Sequence, residues 1–279
     1  MAASDPGRAQ FAFLPVRGAR LTKLGAAAIW RLVSSWFLVF AVAIAVFGAW
    51  EWLVGAFGIP EILLPRPSQI LRVFLKHMVD GTYWRHGLTT VYELGVGFLC
   101  GTVLGVVVAA VMVHVPLVER SLYPYVVLLQ TFPKIAVAPL LITWFGFGVA
   151  PKAVLGGMLA FFPVLVNMMV GLRAVEPEQV ELLESLSANK MTIFRLVRLP
   201  ASLPYFFAAM ETGVVLAMLG AITGEFVGAR RGLGYLLVQQ NAVMAIDGVF
   251  GVLIVFGLLG VGLHMAIRWV HKRVVFWQR

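Results

Sequence analysis

The chain has a single cysteine, and this scarcity limits the chemistry that it can perform. Cys100 lies inside an apolar run of the 279-residue sequence. One cysteine cannot form a disulfide within the chain and cannot build a cysteine-based metal site. The five histidines are scattered and lack the spacing of metal ligands: His77, His86, His114, His264 and His271. The sequence therefore predicts no metal site.

Charged residues are also scarce. They make up 13% of the chain, whereas hydrophobic residues make up 61%. A soluble globular protein has about 25% charged and about 45–50% apolar residues, so the composition indicates an integral membrane protein. The net charge of +9 comes from basic residues that are spread along the chain. This distribution favours loops beside anionic lipid and disfavours a nucleic-acid partner.

Several catalytic motifs are missing. The sequence contains no GxxxxGK[ST] phosphate loop, no HExxH and no CxxC. A chain without a phosphate loop is not expected to hydrolyse ATP itself. We therefore predict a protein that is not an enzyme and that holds no cofactor of its own.

Six apolar runs are each long enough to cross a bilayer, which takes about 20 residues. The predicted spans cover about residues 36–57, 88–113, 122–147, 153–172, 203–227 and 249–268. Five basic residues precede the first run, as they do in a signal peptide. That run is nevertheless longer than an h-region of about 7–15 residues, and no small-residue cleavage site closes it. We interpret it as a retained span of an all-α membrane protein.

The distribution of Lys and Arg predicts the orientation of the spans. With the N-terminus inside the cell, the inner segments hold fourteen basic residues and the outer segments hold seven. Basic residues favour the cytoplasmic side, so both termini are predicted there. This gives a cytoplasmic N-terminal segment (1–35), a transmembrane domain (36–270) and a cytoplasmic C-terminal tail (271–279).

The first outer connection, residues 60–87, has a helical pattern. Its apolar residues fall at helical spacing, at positions 70, 71, 74, 75 and 78. Ser68 is a plausible N-cap for this helix. The pattern predicts a helix that lies in the membrane interface.

The connection 173–202 is longer than a simple link between spans requires, since most connections have about 4–6 residues. Pro177 suits the first position of a helix. Three acidic residues follow, where the helix dipole favours negative charge: Glu178, Glu181 and Glu184. An apolar face is predicted from Leu182, Leu183 and Leu186.

Small or turn-forming residues follow this first helix, including Ser187 and Ala188. A second, basic helix is predicted over Met191 to Val197 and is expected to end at Leu199 and Pro200. The connection therefore reads as a helix, a tight turn and a second helix. An apolar stripe flanked by charge is typical of a surface that docks a partner.

Ionisable and polar groups within spans are functional candidates. Lys134 follows Pro133, which is expected to kink the third span, so its charge either faces the path of an anion or snorkels to the interface. Asn167 either forms an interhelical hydrogen bond or lines the pathway. Glu93 is predicted to sit at the interface, near the outer end of the second span.

The fifth span combines two acidic residues with small ones. Glu211 and Glu225 are fourteen residues apart, so both lie near one helix face. Gly213, Ala217 and Gly220 lie between them and would allow a close helix contact. We hypothesise that this span lines the subunit interface and the pathway; the alternative is packing within one subunit.

The connection 173–202 resembles the cytoplasmic EAA loop of binding-protein-dependent ABC importer permeases. That loop runs Glu-Ala-Ala, three residues, Gly, nine residues, Ile, one residue, Leu-Pro. The spacing is kept from Glu181, through Ser187 at the Gly position and Val197 at the Ile position, to Leu199-Pro200. Leu182 and Leu183 stand where the motif has alanines. If the turn needs a positive φ, Ser fits it less well than Gly.

Four further stretches resemble the nitrate, sulfonate and taurine branch of these permeases. They are LPRPSQIL (64–71), KIAVAPLLITWFGFGVAPK (134–152), FFPVLVNMMVGL (161–172) and GEFVGARRGLGYLL (224–237). Together with the EAA-like loop, the resemblance covers about residues 60 to 270.

This resemblance implies a type I importer permease with six spans and a helix-turn-helix coupling loop, in the bacterial plasma membrane. It implies cytoplasmic ABC ATPase subunits that hold ATP and Mg, an extracytoplasmic solute-binding protein and a second permease copy in a homodimer. The residues implied in ATPase coupling are Glu178, Glu181, Leu182, Leu183, Leu186, Ser187, Ala188, Leu199 and Pro200.

Two other classes of function were weighed against this one. An ion-coupled secondary transporter usually shows internal repeats with broken helices, and no clear repeat is present here. A membrane enzyme would need a catalytic constellation, which the sequence lacks. The resemblance implies a small anion such as nitrate, taurine or an alkanesulfonate as solute, and a thiamine-precursor pyrimidine is the alternative.

Overall fold

A computed structural model describes the backbone of residues 21–278 and the side chains of residues 37–277. Within this part of the chain every regular element is helical, which confirms the all-α prediction. The α-helices are α1 (Leu21–Ala56), α2 (Pro67–Val79), α3 (Thr82–His114), α4 (Pro116–Thr131), α5 (Ala138–Phe145), α6 (Val149–Arg173), α7 (Pro177–Ser185), α8 (Lys190–Ile193), α9 (Leu199–Gly228), α10 (Leu233–Ala242) and α11 (Ile246–Val274). Short 3₁₀ helices cover Lys134–Val137 and Phe276–Gln278, and a π-helical turn covers Phe194–Arg198.

Five helical segments in the described residues are long and apolar enough to cross a membrane. They are Phe37–Ala56, Thr82–His114, Val149–Arg173, Lys190–Gly228 and Ile246–Val274. A bent pair of helices supplies a sixth, which agrees with the six predicted spans. The chain divides into two compact units, residues 1–58 with α1 and residues 59–279 with the other helices.

Two predicted segment boundaries fall inside helices. Residues 1–20 of the predicted N-terminal segment lie outside the described residues, and α1 already begins at Leu21. At the other end, α11 continues to Val274, three residues beyond the predicted start of the tail at 271. Helices α1 and α11 therefore extend beyond the apolar runs from which the segment boundaries were predicted.

The third span is broken where a kink was predicted. Helix α4 and the segment Lys134–Phe145 meet at an angle of 82°. Pro133 has no N–H to donate and pushes the preceding residue out of the helical region. Phe132 accordingly has an extended backbone, with φ −65° and ψ 137°, and α4 ends at Thr131. The proline thus ends the helix and redirects the chain, which then re-forms a helix at α5.

Helices α3, α6 and α9 form the centre of the second unit, with α6 packed between the other two. Small residues make both contacts close. A Cβ atom added to Gly220 would lie 2.7 Å from Gly156 Cα, so these two backbones touch across the α6–α9 contact. On the other side of α6, Gly101 of α3 lies against the backbone of Gly157. Close backbone contact is how helices associate in lipid, where burial from water contributes little.

Helix α2 packs against α11 through one apolar face, in which Ile70 is buried. The predicted cap was wrong, because the helix begins at Pro67 with Arg66 as N-cap. The Arg66 N–H donates to Gln69 Oε1 at 3.0 Å. Asp80 precedes α3, and hydrogen bonds from the Thr82 side chain and backbone lower the pKa of its carboxyl group.

Candidate functional site

Helix α7 presents two leucines outward and turns its other apolar residues inward. Leu182 is 62% exposed and Leu186 is 70% exposed. Val180 and Leu183 are partly buried. The prediction of one face made of Leu182, Leu183 and Leu186 was therefore wrong for Leu183, which lies about 100° around the helix from Leu182. Val180 and Leu183 are thus the partly buried apolar residues of α7, and the outward pair forms an apolar ridge on its exposed side.

The acidic residues of α7 differ in what they face. Glu178, Glu181 and Glu184 are all exposed. Glu181 also borders a cleft of about 470 Å³ between α7 and the span ends, together with Arg173 and Arg198. Glu178 instead lies on the same face as Leu182, one turn before it. The motif glutamate thus faces two arginines of its own chain, while Glu178 lies beside the exposed ridge.

The turn after α7 is a Schellman motif centred on Ser187. The Ser187 N–H donates to Glu184 O at 2.9 Å, and the Ala188 N–H donates to Leu183 O at 3.0 Å. These are the two bonds that define the motif. Ser187 has φ 59°, in the left-handed region that favours glycine. The serine at the motif's Gly position therefore takes the backbone conformation of a glycine.

Replacing Ser187 by Gly is expected to stabilise the turn. A left-handed conformation costs a non-glycine residue about 1–2 kcal/mol, and the greater unfolded freedom of Gly offsets about half of that. A net gain of about 1 kcal/mol slows hydrogen exchange of the Ala188 amide about five-fold. The control is Ser185→Gly, inside α7, which is expected to speed the same exchange. Equal effects of the two substitutions would contradict this account.

The second helix of the loop does not end at Leu199 and Pro200 as predicted. Asn189 caps it, with Oδ1 accepting from the Thr192 N–H at 2.8 Å. The chain then passes through the π-helical turn Phe194–Arg198, in which the Leu199 N–H bonds to Phe194 O. This wider turn accommodates the ring of Pro200 and the N–H that it lacks. Helicity continues without a break from Lys190 to Gly228.

The second part of the connection 173–202 is therefore the start of a continuous helical segment, Lys190–Gly228. Its 39 residues span about 58 Å at 1.5 Å per residue. One end follows directly on the Ser187 turn. The other end carries Glu225, buried at the opposite side of the helix bundle.

Four buried polar side chains surround that far end. Lys152 of α6 donates from Nζ to Glu93 Oε1 of α3 at 2.6 Å. The exposed fractions are 4% for Lys152, 2% for Glu93 and 1% for Glu225, and Thr90 is fully buried. The Thr90 hydroxyl donates to Glu225 Oε1 at 2.7 Å. Lys152 falls in the connection between the third and fourth predicted spans (148–152), and the structure instead places it inside α6, buried against Glu93. The prediction that Glu93 sits at the membrane interface stays a prediction.

Glu225 also caps helix α10. The Gly234 N–H donates to Glu225 Oε2 at 2.5 Å, and the Leu233 N–H donates to Thr90 Oγ1 at 2.8 Å. These are among the first N–H groups of α10, which have no partner within the helix. A carboxylate there also complements the positive end of the helix dipole. Residues of α3, α6, α9 and α10 thus meet in one polar cluster, which we call the far-end cluster (Thr90, Glu93, Lys152 and Glu225).

The small residues of α9 pack within the chain and not on a free surface. Gly213 and Ala217 are buried against α3 and α6, and Gly220 against Gly156. These three residues therefore make close contacts within the chain, and the hypothesis that α9 lines the subunit interface and the pathway stays a prediction. Interior packing needs close backbone approach as much as a subunit contact does, so the small-residue pattern alone could not separate the two.

Two other predicted pathway residues have local partners. The Asn167 side-chain amide donates to Pro163 O of its own helix at 2.8 Å, which is a bond within α6 and not the predicted interhelical one. Its role in a pathway stays a prediction. Glu211 of α9 faces two histidines of α11, with carboxylate oxygens 3.8 Å from His264 Nε2 and 3.6 Å from His271 Nδ1. Glu211 therefore joins α9 to α11 and does not share the surroundings of Glu225.

Lys134 is partly buried beside α6. Its Nζ donates to Gln130 O at 2.7 Å and stands 4.5 Å from the centre of the Phe162 ring. Phe162 is halfway along α6, so the ammonium group lies near the middle of the span. It also borders an apolar cavity of about 540 Å³ between α3, the end of α4 and α6. The alternatives for Lys134, facing the path of an anion or snorkelling to the interface, both stay predictions.

The sequence interpretation missed most of the far-end cluster. Thr90 carried no signal, because a threonine in a span usually bonds to its own helix. Glu93 and Lys152 did carry a signal, since opposite charges at the same predicted level of two spans can pair. Lys152 was assigned to the connection between two predicted spans, so its pairing with Glu93 was not predicted.

Residues 101–276 match the family described as binding-protein-dependent transport system inner membrane component. The chain belongs to this family. Among its relatives, the permease is 32% identical over 82% of its length to the formylaminopyrimidine transport permease protein of Halalkalibacterium halodurans (91% of that protein). It is 30% identical over 82% of its length to a riboflavin transport system permease protein of Chloroflexus aurantiacus (85% of that protein).

A third relative is a putative aliphatic sulfonates transport permease protein of Bacillus subtilis. The permease is 29% identical to it over 85% of each chain. The fold is similar to that of a chain in the methionine ABC transporter MetNI, captured in inward-facing conformations. That match has a TM-score of 0.56 and 20% identity, and covers 70% of the permease and 95% of the other chain. The permease is thus a multi-pass inner-membrane subunit of an ABC importer.

Proposed function

We propose that the permease carries its solute inward using ATP that a separate subunit hydrolyses while docked on α7. The observation that carries the proposal is the outward ridge of Leu182 and Leu186 on a short helix whose other apolar residues, Val180 and Leu183, are partly buried. Leu182 and Leu186 are exposed on successive turns of an ordered helix, which can dock into an apolar groove of a partner protein. Glu178 beside them adds a charge that favours a basic rim on the partner.

The proposed complex contains two copies of the permease as a homodimer, two ABC ATPase subunits that bind ATP and Mg, and an extracytoplasmic solute-binding protein. Family membership supports the ATPase and the binding protein. The excess of Lys and Arg in the predicted inner segments supports cytoplasmic N- and C-termini. In this orientation α7 faces the cytoplasm and the far-end cluster lies at the extracytoplasmic side.

The proposed solute is a small organic anion of the sulfonate or taurine type. The support is a cation, Lys134, in the middle of the spans and a relative named for aliphatic sulfonates. A thiamine-precursor pyrimidine is the second candidate, favoured by the relative named for formylaminopyrimidine. The two candidate solutes differ in charge, so transport assays that compare a probe of each kind distinguish between them.

Transport by the purified complex tests this proposal. The permease is reconstituted in liposomes with the ATPase and binding protein recovered with it from native membranes, and uptake of radiolabelled taurine, hexanesulfonate and formylaminopyrimidine is measured. We expect uptake of an anion that requires ATP and stops when the ATPase is omitted. Uptake by the permease alone, driven by a proton or sodium gradient, would establish the secondary-transporter alternative and overturn the proposal.

A further inference from the structure

The cavity beside Lys134 has the size and lining of a binding site. Its volume is about 540 Å³, within the range of about 300–1,000 Å³ for small-molecule sites. Apolar side chains form most of its wall, including Val96, Leu104, Leu129, Phe132, Met158 and Phe161. Such a wall suits an apolar body and offers little to a strongly hydrated inorganic ion.

The cavity lies near the middle of the spans. Phe162 is halfway along α6, and Gly101 and Gly157, which also line the cavity, touch where α3 and α6 cross. The glycine contact keeps the floor of the cavity free of side chains. The broken third span forms the opposite wall, because Pro133 turns the chain there and brings Lys134 to the rim.

Lys134 is the only charged residue that lines the cavity. Among the described residues no carboxylate lies within ion-pair distance of its Nζ. Its contacts are one backbone carbonyl and the face of the Phe162 ring. An ammonium group has three donors, so two remain for a ligand. A cation at this depth is expensive without a counter-charge, which favours an anionic ligand.

We propose that this cavity binds an organic anion, with the anionic group on Lys134 Nζ and an aliphatic body along the apolar wall. This inference rests on the proposed function and narrows it, because the site places the solute partway along its route through the membrane. It favours an alkanesulfonate or similar amphiphilic anion over a neutral pyrimidine and over an inorganic anion.

The only cysteine of the chain reports on this site. Cys100 is exposed and lines the cavity. The wild-type permease in nanodiscs of neutral lipid is labelled with N-ethylmaleimide, in the presence of hexanesulfonate, hexanol or sulfate. We expect hexanesulfonate at about ten times its Kd to slow labelling about ten-fold, because occupied cavities exclude the reagent. Hexanol and sulfate at the same concentration are expected to have no comparable effect.

Substitutions of Lys134 separate the charge from the cavity. Lys134→Met is expected to abolish protection by hexanesulfonate, Lys134→Arg to keep it, and the distant control Lys190→Met to behave as wild type. Equilibrium dialysis of radiolabelled hexanesulfonate against the same variants gives the same ranking without using the thiol. Equal protection by hexanol, or equal binding by Lys134→Met, would overturn the proposal and assign the cavity to an apolar chain such as lipid.

The failure of this site is distinguishable from failure of the proposed function. ATP-dependent uptake of an anion without binding at Lys134 overturns the site alone. Binding at Lys134 without ATP-dependent uptake overturns the transport proposal and leaves the site in place.

Discussion

Lys152→Met is expected to lower the free energy of unfolding by about 3–5 kcal/mol, because it leaves the Glu93 carboxylate buried without its partner. The Lys152 Nζ and Glu93 Oε1 atoms are 2.6 Å apart, with side-chain exposures of 5% and 2%. Glu93 also has Glu225 as an acidic neighbour. Removing the lysine therefore leaves two carboxyl groups close together in a buried site without a cation.

A double variant distinguishes the lost pair from a general packing defect. Lys152→Met with Glu93→Leu removes both charges, and exchanging a buried pair for apolar residues is often neutral. We expect the double variant to recover most of the lost free energy of unfolding. Glu225 keeps its hydrogen bonds to Thr90 and Gly234 in both variants. Unfolding in mixed micelles of rising SDS fraction, followed by circular dichroism, measures the series.

The matched control for this series is Lys190→Met. Lys190 is exposed at the start of α8, so the same substitution is expected to change stability by no more than about 0.5 kcal/mol. If Lys152→Met is as stable as Lys190→Met, the buried pair is not what holds α3 to α6. If the double variant is as unstable as the single one, the loss arises from packing and not from charge.

Leu182→Glu is expected to weaken the binding of the ATPase about 30-fold or more. The substitution puts a charge into the centre of the proposed contact, and central interface residues typically contribute about 2 kcal/mol or more. Leu182 is 62% exposed and contributes little to packing within the chain, so the fold is expected to remain intact.

Charge reversals on the two sides of α7 provide matched controls. Glu178→Lys lies on the face of Leu182 and is expected to weaken binding, whereas Glu184→Lys lies on the opposite side and is expected to weaken it less. A titration of labelled ATPase against each variant in nanodiscs ranks them. A ranking in which Glu184→Lys is the most damaging would place the contact on the other side of α7.

The long elements could be predicted from the sequence because hydrophobic length is a strong signal in a membrane. All six spans correspond to apolar runs, and the helix-turn-helix of residues 173–202 followed from Pro177 and the small residues after α7. The positive φ of Ser187 was foreseeable from the Gly position in the motif that it occupies. These features depend on residues that are close together in the sequence, so they can be predicted from it.

Features that depend on which helices meet could not be predicted in the same way. Glu93 and Lys152 are 59 positions apart, and only the packing of α3 on α6 brings them together. The small residues of α9 fit a subunit interface and an interior contact equally well by pattern. Pro200 suggested a helix end, but a single π-helical turn allowed the helix to continue. In each case tertiary packing decided between local alternatives.

Co-purification from native membranes tests the central claim most directly, namely that α7 couples the permease to an ATPase. Tagged wild-type permease and the Leu182→Glu variant are purified in mild detergent, and the bound proteins are identified and quantified by mass spectrometry. The account predicts that an ABC ATPase accompanies the wild type and is lost from the variant, while both permeases elute at the same size otherwise. An ATPase recovered equally with both, or with neither, would contradict it.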